Sequence, residues 1–332
     1  MKRFEMVPPS NLFALPVKPG GAHLARASAW LGGTPDAFAS ETGWLLATAG
    51  RPAVDVTRAF RVLSATAEAG TDPLPPEARR YEYVMVGEPL GAYVPGYLSE
   101  NFRALRERDL STRPLPIQSG LDSEAGIDAV GEAIMQASFA GRKVVVVAHG
   151  RGAVDVVEAL SAWPELASLV RALVALQAPF GGSLLASALR RDDDLSTHFG
   201  GPLRRLMDRH PDSLSSMTYA ARQDCIAQHP LPLDVPMVCL ATTGRAPGST
   251  LQGVEDVLLE RYGHASDGLV APEDAVLPGA RLVRLEGMDH LQSVVPAARG
   301  ATHPRAAELT LALVALGLRM PPPAALSARA AA

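Results

Sequence analysis

The stretch Lys143 to Leu160, KVVVVAHGRGAVDVVEAL, restricts the folds open to this chain more than any other. Val144, Val145, Val146 and Val147 form an unbroken β-branched run, the pattern of a strand covered on both faces. Ala148-His149-Gly150-Arg151-Gly152 then crowds small residues into a tight turn, and Ala153 to Leu160 resumes at helical spacing. A doubly covered strand that runs straight into a helix is the building unit of a parallel sheet.

Other segments repeat the unit. Tyr81 to Val86 (YEYVMV), Arg113 to Gln118, Ala172 to Gln177 (ALVALQ), Pro236 to Ala241 (PMVCLA) and Arg281 to Leu285 (RLVRL) read as further strands. Helices are predicted at about 97–108, 124–139 and 306–316. The sum is an α/β chain with a mostly parallel sheet of about six strands and helices on both faces. The Ala-rich stretches between Gly21 and Gly70 read as short helices rather than strands. Pro73-Leu74-Pro75-Pro76 separates them from the strand that begins at Tyr81. The expected organisation is an N-terminal helical arm (1–80) packed on the core, an α/β domain (81–320), and a flexible tail (321–332). The more polar stretch at about 184–230 has no place in a minimal alternation and is expected to be a helical cap. In parallel sheets, sites form beyond the carboxyl ends of the strands. The turns after Val86, Val147, Gln177, Ala241 and Leu285 should therefore cluster in space.

Composition narrows the partners. The chain carries 31 basic and 35 acidic residues, a formal charge of −4, with no long single-sign block. That leaves no electrostatic footprint for nucleic acid. No window approaches the ~18 consecutive apolar residues of a membrane span. Lys2 and Arg3 are followed by Glu5, Pro8 and Pro9, which break up any apolar signal core. A cytoplasmic protein without stable membrane insertion is the expectation. Cys225 and Cys239 do not make a disulfide framework. No cofactor and no metal is expected, since His23, His198, His210, His229, His264 and His303 lack ligand spacing.

Four turns carry a resemblance. Ala148-His149-Gly150-Arg151-Gly152-Ala153 looks like the nucleophile elbow A-H-S-x-G-G/A. Gln177-Ala178-Pro179-Phe180-Gly181-Gly182-Ser183 resembles the T-P-H-x-G-S turn of many lipases. Ser266-Asp267-Gly268-Leu269-Val270 resembles an acid loop, and Gly287-Met288-Asp289-His290 a histidine loop. Together, and in this order, they resemble the α/β-hydrolase superfamily and its bacterial lipase/esterase-like proteins. The likeness covers roughly Tyr81 to Val295. It implies an α/β-hydrolase fold and a small-molecule ester or acyl substrate. It matches His290 to the catalytic base and Asp267 to the acid that orients it. Asp289 and Glu286 are neighbouring carboxylates, and Asp289, adjoining His290, should point elsewhere. The oxyanion hole would use the amide N–H of Arg151 and a second from Leu90, or alternatively Glu88, since Pro89 has none. His149 is expected to be a packing residue. Leu184, Leu185, Phe199, Leu203 and Met207 in the cap would line an acyl pocket.

The departure from the pattern is Gly150, which stands where the family has its serine. Glycine suits the strained backbone of an elbow but offers no nucleophile. Removing the serine of a serine protease costs about 10⁶ in turnover, so ordinary ester hydrolysis through an acyl-serine is closed. Three readings remain. In the first, the chain is a hydrolase whose serine was replaced deliberately. In the second, Asp267 and His290 carry out non-covalent acid–base chemistry such as cyclisation, elimination or activation of water. In the third, the pocket binds without catalysis.

Overall fold

All six expected strands form, and a seventh joins them. The computed structural model describes residues 38–115, 123–139, 141–191, 195, 203, 214–229, 231–244, 251–297 and 303–321. Its strands are β1 (Val54–Asp55), β2 (Glu82–Val86), β3 (Ser111–Leu115), β4 (Val144–His149), β5 (Val170–Leu176), β6 (Met237–Thr243) and β7 (Arg281–Glu286). They pair in the order β1-β7-β6-β5-β4-β2-β3, every pair parallel. The main helices are α1 (Trp44–Thr48), α2 (Thr57–Glu68), α3 (Ser99–Arg106), α4 (Ser123–Phe139) and α5 (Arg151–Ala162). They continue with α6 (Leu184–Arg191), α7 (Tyr219–Gln228), α8 (Gln252–Tyr262) and α9 (Ala306–Arg319).

The additional strand is a correction to the reading of residues 21–70 as helical. Val54–Asp55 pairs with Arg281 and Leu282, and Val54 and Val56 donate to the carbonyls of Ala280 and Leu282. Two residues are too few to show a strand period in sequence. A short edge strand also leaves little unpaired backbone exposed. At the opposite edge lies β3, which contains Pro114, a residue that lacks a ladder N–H and is tolerated there.

Side chains alternate across the sheet, so the strands feed two cores. Val84, Val146, Leu173 and Met237 face α4, α5 and α8, while Tyr83, Val145, Val174 and Val238 face α2, α3 and α9. Val144 to Val147 are all fully buried. Their burial contributes about 6–12 kcal/mol before the cost of ordering the chain. Among the described residues, no helix is long and apolar enough to cross a membrane. The free thiol of Cys239 is buried in the first core, and Cys225 is half-buried.

Candidate active site

The turn between β4 and α5 is built for close approach. Gly150 sits at φ 53°, ψ −130°, a backbone region that residues with a Cβ rarely adopt. Its N–H donates to the Leu176 carbonyl at 2.9 Å, which ties the turn to the end of β5. Two residues on, a Cβ at Gly152 would run into the main chain of Gly87, whose carbonyl carbon would be 3.0 Å away. The glycine therefore lets α5 pack directly on the loop after β2.

That loop delivers Glu88 by its side chain, where the sequence offered only its amide. Glu88 is buried, and its carboxylate reaches across to Gly150. A Cβ on Gly150 would lie well inside contact distance of Glu88 Oε2, 2.6 Å from Cδ and 3.2 Å from His290 Nε2. The carboxylate thus occupies the volume that a serine side chain would take. Its Oε1 is 3.2 Å from His290 Nε2, and its Oε2 accepts from the N–H of Arg151 at 3.3 Å. On the far side of the ring, His290 Nδ1 is 3.0 Å from Asp267 Oδ2. The other Asp267 oxygen accepts from the N–H groups of Leu269 (3.0 Å) and Val270 (2.8 Å). The arrangement reads carboxylate, imidazole, carboxylate, all buried.

No protein-family model matches the chain, and no curated protein matches it in sequence. Solved structures do match in shape. A metagenomic carboxyl esterase superposes with a TM-score of 0.61 at 20% identity, covering 79% of this chain and 91% of that one. The mature lipase BlEst2 of Bacillus licheniformis gives 0.53 at 22%, covering 66% and 89%. Lipase 1 of Pelosinus fermentans gives 0.51 at 9%, covering 73% and 100%. The fold is that of the α/β-hydrolases.

Within this α/β-hydrolase fold, the structure brings Gly150, Asp267 and His290 together as the motif order implied. Of the two residues offered as the second oxyanion donor, Glu88 is corrected: its N–H donates to the Tyr97 hydroxyl at 2.9 Å. Its side chain, not its amide, enters the site. Leu90 is buried and lines the cavity beside His290. Asp289 points away as expected, and its Oδ1 accepts from the N–H groups of Leu291 and Gln292. His149 is more than packing. Its Nδ1 lies 2.8 Å from the Tyr97 hydroxyl and 3.7 Å from Glu88 Oε1, and its Nε2 is 2.9 Å from the His290 carbonyl. A carbonyl can only accept, so the proton is on Nε2 and Tyr97 donates to Nδ1.

The charges follow from these contacts. Burial pushes His149 down to about 4, despite the opposing Glu88 charge, so the ring is neutral near pH 7. Burial would also lower His290, but the Asp267 and Glu88 carboxylates outweigh it and hold the imidazolium well above its ordinary range. Burial works to raise Glu88, yet the His290 charge, its contact at Nε2 and the Arg151 N–H hold it below the usual carboxylate range. The resting site is an ion pair between Glu88 and His290. A set of polar contacts fixes the histidine loop. Gln177 Nε2 donates to Thr242 Oγ1 (2.5 Å) and the Asp289 carbonyl (2.9 Å), while Ser293 Oγ donates to Gln177 Oε1 at 2.5 Å.

Space is tight. A cavity of about 30 Å³ beside Glu88 and His290 is walled by Pro89, Leu90, Pro179, Leu214, Met217, Leu269 and Val270. It has room for a water molecule and not for an acyl chain. Leu184, Leu185 and Leu203 are buried but are not among its walls, and Phe199 and Met207 lie outside the described residues. Ser183 lines the cavity, but its hydroxyl donates to the Leu269 carbonyl and accepts from Ala186 N–H. A larger groove of about 790 Å³ lies elsewhere, between Asp55, Arg61, Glu68, Arg284, Glu286 and Arg305. Its lining interleaves opposite charges with Phe60, Ala65, Leu285 and Pro304, and it lies away from Glu88 and His290, so volume alone does not mark the site.

Proposed function

We propose that this protein is a carboxylic-ester or acyl hydrolase that works by direct attack of water, with Glu88 standing in for the missing serine. One observation carries the reading: the Glu88 carboxylate fills the space above Gly150 and contacts His290 Nε2 at 3.2 Å. In this scheme Glu88 takes a proton from a water as its oxygen attacks the substrate carbonyl. His290 Nε2–H gives its proton to the departing alkoxide as the acyl carbon–oxygen bond breaks. Glu88 then returns the gained proton to His290, so ester and water become acid and alcohol with no change in the protein. Asp267 keeps the ring oriented through Nδ1. The N–H of Arg151, held by Glu88 Oε2 at rest, becomes a donor for the substrate oxyanion once Glu88 turns toward water. Gly150 is then the native residue of the site.

Hydrolysis of short p-nitrophenyl esters tests this. Turnover is expected without a burst and without fluorophosphonate labelling, and Glu88→Gln should lower it by about 10²–10⁴, the usual worth of a general base. Unchanged turnover in Glu88→Gln would overturn the scheme. In ¹⁸O water, label should enter the product acid and not Glu88; label in Glu88 would mean a covalent acyl–carboxylate route instead. The same pair could serve a non-hydrolytic elimination or cyclisation, a reading favoured by the tightness of the cavity. Absence of ester turnover combined with ligand binding would point to a non-catalytic pocket.

A further inference from the structure

We infer that Glu88, His149 and His290 form a binding site for one divalent transition-metal ion of the zinc class. The inference goes beyond the hydrolytic reading and is measured independently of it. One ligand atom from each of the three residues lies within 4.8 Å of the others. Glu88 Oε1 is 3.2 Å from His290 Nε2 and 3.7 Å from His149 Nδ1. A tetrahedral zinc ion with bonds of about 2.0–2.1 Å sets its ligand atoms roughly 3.3–3.4 Å apart. Two separations already match within a few tenths of an ångström, and the third needs a closure of at most about 1.5 Å.

The outward nitrogens supply the second argument. His149 Nε2 carries its proton toward the His290 carbonyl at 2.9 Å, which leaves Nδ1 unprotonated, with the Tyr97 hydroxyl at 2.8 Å and Glu88 Oε1 at 3.7 Å. His290 Nδ1 faces Asp267 Oδ2 at 3.0 Å, so Nε2 is the inward atom. Metal-bound histidines characteristically donate their other N–H to a carboxylate or a backbone carbonyl. Here one ring has each kind of partner. Both rings are oriented as a metal needs them, on residues from three separate segments of the chain.

Two nitrogens and one carboxylate oxygen, without a thiolate, suit Zn²⁺, Co²⁺ or Fe²⁺ better than Cu⁺ or Ca²⁺. A cation would replace the proton that His290 Nε2 holds against Glu88. The Tyr97 O–H, which donates to His149 Nδ1 across 2.8 Å, would turn away. Three protein ligands leave a fourth position open, the pattern of a catalytic rather than a structural zinc. The cavity of about 30 Å³ borders two of the three ligands, Glu88 and His290, and has space for a water.

The test is zinc binding by the full-length chain, stripped with a chelator and titrated with ZnCl₂ alone by calorimetry, with bound metal counted by mass spectrometry. One zinc per chain is expected, with affinity falling at least 100-fold in His149→Ala and in Glu88→Gln. His229→Ala, an exposed histidine outside this ligand set, should bind as the wild type does. Failure to bind one equivalent, or unchanged affinity in both site variants, overturns the inference. Should His149→Ala not fold, Glu88→Gln decides, because it keeps the side-chain volume. Stoichiometric zinc without ester turnover leaves the metal site standing and removes the hydrolytic proposal. Turnover by a chain that takes up no zinc does the reverse.

Discussion

Placing a serine at position 150 is the sharpest perturbation of this site. The new Cβ would sit 2.6 Å from Glu88 Cδ and inside contact of Oε2, so Glu88 must leave. Leaving breaks its contacts with His290 Nε2 (3.2 Å) and Arg151 N–H (3.3 Å) in a buried setting, which costs about 3–5 kcal/mol. A side chain at φ 53° adds about 1–3 kcal/mol. Gly150→Ser alone should therefore lose roughly 4–8 kcal/mol, comparable to the whole stability of many domains. In a Glu88→Ala background the obstruction is gone and His290 faces Asp267 alone. The serine should then cost only the backbone strain, and its hydroxyl can reach His290, whose Nε2 lies 3.2 Å from the Cβ position. Urea denaturation of the four proteins gives the coupling, expected at about 3–5 kcal/mol in favour of the pair. Fluorophosphonate labelling and p-nitrophenyl acetate hydrolysis should appear in the double variant and not in Gly150→Ser. A single variant as stable as the wild type and readily labelled would refute the reasoning, since Glu88 would then not be filling the serine's place.

Two further outcomes test the frame around the site. Asp274 is buried between Gly43 N–H (2.8 Å) and the Tyr219 hydroxyl (2.7 Å), and burial raises it to about 7. An acid raised in the folded state holds a proton there that the unfolded chain gives up, so its contribution is lost as pH climbs from about 4 through 7, by up to about 4 kcal/mol. Asp274→Asn, which mimics the protonated acid, should match the wild type in urea midpoint at pH 4.5 and exceed it at pH 8; the opposite ordering at pH 8 would mean that an ionised Asp274 is what the fold prefers. Arg171, buried on β5, donates to the carbonyls of Gly317 (3.3 Å), Leu318 (2.5 Å) and Met320 (2.8 Å) and so caps α9. Arg171→Met leaves those acceptors without a donor and should cost about 2–5 kcal/mol by denaturation, and a loss under about 0.5 kcal/mol, the low end for a single hydrogen bond, would count against the cap.

The sheet was legible because its strands are unbroken apolar runs, and the turns because small residues and loop carboxylates recur in a known order. The same recurrence pairs Asp267 with His290, whose side chains lie 3.0 Å apart. What escaped was set by distance. β1 has only two residues and takes its identity from the β7 edge it pairs with. Glu88 was read for its amide because the residue after a first strand offers a backbone donor. The side chain's role depends on a vacancy far along the chain, above Gly150, and nothing local in the sequence records it.

Volume by itself does not explain that side chain. A leucine could fill the space over Gly150 while avoiding the several kcal/mol that desolvating a carboxylate costs. Glu88 offsets this cost through the His290 imidazolium and the Arg151 N–H, the groups that hold its charge in place. Each of those contacts lies beside the space that a Cβ on Gly150 would take. The glycine and the glutamate are thus one feature: the bare elbow leaves room, and a negative charge fills it facing the imidazole. A site merely closed off would need the first of these features and not the second.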